Sequence, residues 1–193
     1  MIVERQCREC VKVCCGMILC LHRVQILTTF TAMIKLLDQG AAKDGSVLSL
    51  LDSTTAAVDD MGGTLGAIIG ILLSAFSNAL QQSDTSKTTP ISEVLAKSLF
   101  QATEVLKTHT GAREGDRTVM DVLLPFAAAF AEAPYSFDHA VNVAKEKAEG
   151  TRFLKASFGR ATYVADGEGQ DVPDPGAWAF YEVLNGVLDV VSA

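Results

Sequence analysis

A chain of 193 residues, 49% hydrophobic and 20% charged, has the size and balance of one globular domain with a substantial core. Five prolines and fifteen glycines are too few for a disordered or fibrous chain. The net charge of −7 is uneven, because residues 1–37 hold five Lys or Arg against Glu4 and Glu9. The remaining body is acidic, which argues against broad binding to nucleic acid or an anionic membrane, since neither polyanion gains from it.

The first 23 residues read as an atypical, cysteine-rich segment, and residues 24–193 as a single domain. Cys7, Cys10, Cys14, Cys15 and Cys20 all fall within the first twenty residues. Cys7 and Cys10 have a metal-ligand spacing and His22 follows, but no second separated pair closes a tetrahedral site. Reduced thiols are the expectation. The apolar run from Val13 to Leu21 is too short to span a bilayer. Arg5, Arg8 and Lys12 ahead of it imitate a signal peptide, yet His22 and Arg23 stand where a small-residue cleavage site belongs. A cytoplasmic location is expected.

From residue 24 onward apolar residues recur at three- and four-residue spacing, with almost no alternating β-branched runs, so the fold class is all-α. The predicted helices cover 24–38, 46–59, 64–81, 91–108, 117–132, 136–156 and 175–191. Polar or glycine-bearing loops separate them at 81–89, 108–116 and 165–174.

Several segments have the composition to carry chemistry. Met61-Gly62-Gly63-Thr64-Leu65-Gly66 sits where a loop passes into a strongly apolar helix. Paired glycines let a ligand approach the backbone, and the free N–H groups at a helix start favour a phosphate. The structural alternative is that Gly62, Gly66, Gly70 and Ser74, spaced by four, form a stripe for close helix packing. The segment from Gly111 to Thr118, GAREGDRT, reads as a flexible loop in which Asp116 caps a helix starting near Arg117. Asp121 and Pro125 follow within that helix, where Pro125 is expected to bend it. Gly150-Thr151 and Phe158-Gly159-Arg160-Ala161-Thr162-Tyr163 come next, and Arg160 there could grip a phosphate or serve as a surface ion-pair partner. Asp174-Pro175-Gly176-Ala177-Trp178 fits an N-cap followed by a first-turn proline. His109 and His139 are lone histidines, expected to be structural or solvated.

Taken in order, these segments resemble the ATP-binding domain of dihydroxyacetone kinases, the DhaL or Dak2 domain, most closely in fungal single-chain enzymes. The likeness is plain over residues 61–193. It implies an antiparallel helical barrel, of eight helices in the family and incomplete here at the N-terminus, that holds ATP or ADP with Mg²⁺ at one end. Gly63 and Thr64 match the family's phosphate loop, and Arg160 its arginine near the phosphates. Asp174, Pro175 and Gly176 match the loop beside the nucleotide, while Thr110, Gly111 and Val119 fall on the adenine side. In the family a separate dihydroxyacetone-binding (DhaK-type) half supplies the substrate, so such a domain or subunit is the implied partner.

Two departures qualify the implied activity. Leu65 stands where the family has a serine, removing one hydroxyl from the phosphate loop. No Asp-x₄-Asp-x-Asp spacing precedes residue 61, although the family holds two magnesium ions with such carboxylates; Asp38, Asp44, Asp52, Asp59 and Asp60 do not supply it. The sequence therefore assigns no catalytic residue and no metal ligand. The expectation is a truncated or divergent copy with impaired phosphoryl transfer, the alternative being a non-catalytic nucleotide-binding or docking module.

Overall fold

A computed structural model describes residues 46–59, 62–83, 89–158 and 172–192 of the chain. Six α-helices follow one another within them: α1 Val47–Asp59, α2 Gly63–Gln82, α3 Ile91–His109, α4 Met120–Ala131, α5 Phe137–Gly150 and α6 Pro175–Val191. A single 3₁₀ turn, Thr151–Phe153, extends α5. Among the described residues there is no strand, and the all-α expectation holds. The predicted helix at 24–38 and the cysteine-rich segment lie outside the described residues.

The predicted spans 46–59, 64–81, 91–108 and 175–191 agree with α1, α2, α3 and α6 to within a residue at either end. The span 117–132 is corrected to Met120–Ala131, and 136–156 to a helix ending at Gly150 with the 3₁₀ turn beyond it. In the second case the apolar spacing persists past the point where the chain tightens. Ser136 starts α5 in the expected manner, its hydroxyl accepting from the backbone N–H of His139 at 3.2 Å. Pro125 lies inside α4 without ending it, so only the one backbone bond that its missing N–H removes is forgone.

Helix α2 is long and apolar enough to cross a membrane by length and composition, with a mean hydropathy of 1.7. Here it packs against α1 and α3, burying Gly66, Ile68, Gly70, Leu72, Ser77 and Ala79. The small-residue stripe is only half realised. At Gly70 a β-carbon would stand 2.9 Å from Asp59 Oδ1, so the end of α1 runs close to the helix there. Ser74 is exposed, because a four-residue step drifts about 40° around a helix of 3.6 residues per turn.

Each helix packs on the next in the chain, and the short connections from α1 to α2 and from α4 to α5 make those neighbours antiparallel. Two clusters fill the interior. Near one end Ile68 and Leu72 of α2 meet Ala102 and Leu106 of α3, with Ala112, Val119, Met120 and Leu123 of the α3–α4 connection and α4. The other cluster joins Ala96, Val122, Phe126 and Phe130 to Ala140, Val141 and Ala144 of α5 and to Ala177, Tyr181 and Leu184 of α6. Phe137 closes on Phe126 and Phe130 edge to face, with centroids 5.6 and 5.5 Å away. Leu106, Met120, Leu123 and Phe126 are fully or almost fully buried, each worth roughly 1.5–3 kcal/mol of transfer free energy.

This topology decides where the loops lie. The end of α3, the start of α4, the end of α5 and the start of α6 meet through the Arg117–Val172, Asp174–Thr151 and Gly176–Val119 contacts. The first turns of α2 pack there through Ile68 and Leu72, beside Leu106 and Val119. Segments distant in sequence are thereby gathered there, and three helices present their N-termini to that end.

Candidate functional site

The start of α2 is built on two glycines. Gly62 has φ +64° and ψ −177°, and Gly63 has φ +70°, backbone conformations that L side chains rarely adopt. Nothing lies within 4 Å of where a β-carbon on Gly62 would sit, so the space outside is open. Gly62, Gly63 and Thr64 are exposed, and the N-cap residue, Gly62, has no side chain with which to cap the helix. Gly62 therefore takes up none of the first N–H groups of α2, which carry the positive end of the helix dipole. Replacing Gly62 by Ala is expected to cost about 1–3 kcal/mol through backbone strain alone. Thermal unfolding should show a melting temperature several degrees lower, and an unchanged value would mean that the turn is not held in this form.

The connection from α3 to α4 is tied down from within. The guanidinium of Arg113 donates to the carbonyls of Lys107, Thr110 and Ala112 at 3.0, 2.7 and 2.8 Å, closing the C-terminus of α3. Thr110 Oγ1 accepts from the N–H of Ala112 at 3.2 Å. Lys147 of α5 pairs with Glu114 across the loop. The expected cap at Asp116 is not made: its carboxylate turns back to accept from Arg113 N at 2.7 Å, and the helix begins later, at Met120. The backbone explains the shift. Gly115 at φ +102° and Arg117 at φ +58° hold an irregular turn in place of a helical first turn.

Asp121 is the carboxylate that organises this turn. Only 2% exposed, it accepts from Gly115 N at 2.6 Å and from Thr118 N at 2.7 Å. Burial raises its pKa, and the two N–H donors oppose that rise. The sequence marked Asp121 only as a member of the motif, since nothing local announces that a residue inside a helix satisfies donors upstream of it.

Asp174 and Pro175 start α6 as predicted. The Asp174 carboxylate accepts from Ala177 N at 2.9 Å, and Pro175 occupies the first turn. The backbone N–H of Asp174 donates to Thr151 Oγ1 at 2.8 Å, and that buried hydroxyl itself donates to Ala148 O at 2.6 Å. Thr151 thus pins the start of α6 to the end of α5, a role the sequence did not assign. From the α3–α4 loop, Arg117 donates to Val172 O at 3.0 Å. A β-carbon on Gly176 would lie 3.1 Å from Asp174 Oδ2 and 3.9 Å from Val119 N, so this glycine permits close passage of the two loops. Burial pushes the Asp174 carboxyl up to about 6, although Ala177 N–H and the charge of Arg117 both act to lower it.

The structure therefore gathers Gly63, Thr64, Thr110, Gly111, Val119, Asp174, Pro175 and Gly176 at one end of the helical array. Val119 differs from the rest, because its side chain is only 4% exposed and belongs to the core, leaving its backbone on the Gly176 side. Arg160 lies outside the described residues. His109 sits in the last turn of α3, where a histidine suits the carbonyl end of a helix, and His139 is exposed on α5. Among the described residues no three His, Cys, Asp or Glu side chains come together to hold a metal ion. Of the carboxylates at this end, Asp121 and Asp174 are engaged with backbone N–H groups.

An all-α antiparallel array with a glycine-started, uncapped helix facing two tethered loops is the class of fold defined here. The family model of the DAK2 domain matches residues 22–189, and the chain belongs to that family. It is 45% identical to dihydroxyacetone kinase 1 of Saccharomyces cerevisiae over 128 residues, which are 66% of this chain and 21% of that protein. It is 38% identical to the dihydroxyacetone kinase of Komagataella pastoris over 168 residues, 82% of this chain and 27% of that one. The chain thus spans about a quarter of the length of these relatives. The crystal structure of the dihydroxyacetone kinase from C. freundii in complex with AMP-PNP and Mg²⁺ superposes with a TM-score of 0.68. That match covers 98% of this chain and 32% of the other at 20% identity, and so speaks for the fold.

Proposed function

We propose that the chain is the nucleotide-holding domain of a dihydroxyacetone kinase, with the triphosphate at the start of α2 and the base beside Thr110 and Gly111. The observation that carries this reading is the open, uncapped Gly62-Gly63 turn at the end where the α3–α4 and α6 loops converge. The glycines admit phosphate oxygens to the backbone, and the N–H groups of the first turn, with the Thr64 hydroxyl, donate to them. Asp174, Pro175 and Gly176 form the opposite rim, held in register by Thr151 and Arg117. Bound ATP would supply the transferable phosphoryl group. The relatives' names support dihydroxyacetone as acceptor, and its delivery would fall to a DhaK-type domain or subunit.

Turnover by this chain is expected to be weak. Phosphoryl transfer rests on fixed positive charge around the transferring group, and no Asp-x₄-Asp-x-Asp spacing that would hold Mg²⁺ there precedes residue 61. The same observation favours a second reading, a nucleotide-binding or docking module without catalysis. Calorimetry with ATP, with and without Mg²⁺, separates these possibilities when combined with a kinase assay on dihydroxyacetone plus a separate dihydroxyacetone-binding domain. Expected are ATP binding with little dependence on Mg²⁺ and turnover orders of magnitude below a complete kinase. Strong Mg²⁺-dependent turnover would reject the impaired-enzyme reading, and absence of ATP binding would reject the nucleotide site.

A further inference from the structure

We propose that Phe158 is a base-stacking and specificity residue of this site, forming an aromatic wall for the purine of a nucleoside triphosphate. This inference rests on the nucleotide reading above and adds a residue that the motif comparison did not assign to the base. A β-carbon on Gly111 would lie 3.7 Å from Phe158 Cζ and 3.8 Å from Cε1, so the edge of the ring is in van der Waals reach of the exposed backbone just past α3. Gly111 is thereby left without a side chain on the face where the ring stands.

Phe158 has no core role that would account for its position. It belongs to neither buried cluster, and 42% of its surface is exposed. The ring is more than half covered, and the part that faces outward contributes no burial to the core. The segment that carries it is nevertheless placed, because Ser157 N donates to Asp116 O at 3.2 Å across the two loops. Asp116 in turn holds Arg113 N, and Arg113 closes the end of α3. A positioned, half-open ring has one edge on a glycine and its remaining surface available, which suits stacking on a flat heterocycle.

The geometry also sets the reach. Gly111 lies just beyond the C-terminus of α3, which is the antiparallel neighbour of the α2 N-terminus, and packed helices are about 8–10 Å apart. A phosphate at α2 and a base at Phe158 therefore belong to the two ends of one extended ligand.

The test compares ATP with inorganic tripolyphosphate, which has the charge and no base, by calorimetry on the full 193-residue chain and on F158A and F158W. Expected is a loss of about tenfold or more in ATP affinity for F158A, the scale of one base–aromatic stack, with tripolyphosphate affinity unchanged. F158W should retain ATP binding, with indole emission that changes on addition of ATP above the background of Trp178. Equal loss of both probes in F158A would show that Phe158 only shapes the loop, and would overturn the proposal. Unchanged ATP affinity in F158A, with both probes bound, overturns it too and leaves the nucleotide reading standing. If the wild-type chain binds neither probe, both readings fall.

Discussion

Asp121→Ala is expected to lower stability by about 3 kcal/mol and to loosen the entire α3–α4 connection. The carboxylate is almost fully buried and is the acceptor for two backbone donors, Gly115 N at 2.6 Å and Thr118 N at 2.7 Å. Hydrogen bonds to a charged group contribute about 1.5–3 kcal/mol each, and orphaned buried donors carry their own desolvation cost. Against that stands the cost of keeping the carboxylate out of water, visible in its raised pKa, which truncation would relieve. The net figure therefore sits at the low end of the two-bond sum. For a chain of this size the melting temperature should fall by roughly 6–12 °C. Asp121→Asn should recover only part of the loss, because the amide nitrogen would face one of the two N–H groups as a second donor. Limited proteolysis should show new cleavage between Thr110 and Val119. A shift below about 2 °C without new cleavage would mean that this turn is held by other contacts.

A second large effect concerns pH. The carboxyl of Asp174 is raised to about 6 in the folded chain from an ordinary value of 3.8, chiefly by burial. A raised carboxyl keeps its proton longer in the folded chain than in the unfolded one. Its contribution to stability is full below about pH 3.8 and is lost as pH rises through about 6. The whole window corresponds to about 3 kcal/mol. Asp174→Asn removes the titration while keeping a side chain that caps helices as well as aspartate does. The variant should therefore gain on the wild type as pH is raised from 4 to 7 in denaturant titrations. Parallel stability curves across that range would contradict the burial of this carboxyl. Asp121 is also raised by burial and contributes in the same direction, so the double variant should flatten the profile further.

How much was legible in the sequence can be judged from particular residues. Asp174 and Pro175 were placed correctly because N-capping is local: the donor, Ala177 N, is three residues from its acceptor. The pairing of Asp116 was misjudged for a related reason. Both Asp116 and Asp121 stand within reach of the same loop, and which one captures which N–H depends on the positive φ of Gly115 and Arg117. No residue pattern specifies that turn by itself. Thr151 is farther still from local reasoning, since its partner Asp174 N lies 23 residues away.

The order of the short motifs, from Met61-Gly62-Gly63-Thr64 to Asp174-Pro175-Gly176, pointed to the DAK2 family before any geometry was considered, and the match over residues 22–189 agrees with it. Helical periodicity likewise determined the all-α class and most helix bounds, because helix hydrogen bonds and apolar faces repeat every three or four residues. What only the tertiary structure decided is the meeting of those motifs at one end. It turned Val119 into the core, brought Gly176 against Asp174 and Val119, and laid Phe158 over Gly111. The Gly176–Val119 and Phe158–Gly111 contacts join residues tens of positions apart, and they follow from the packing of the helices, which no local pattern encodes.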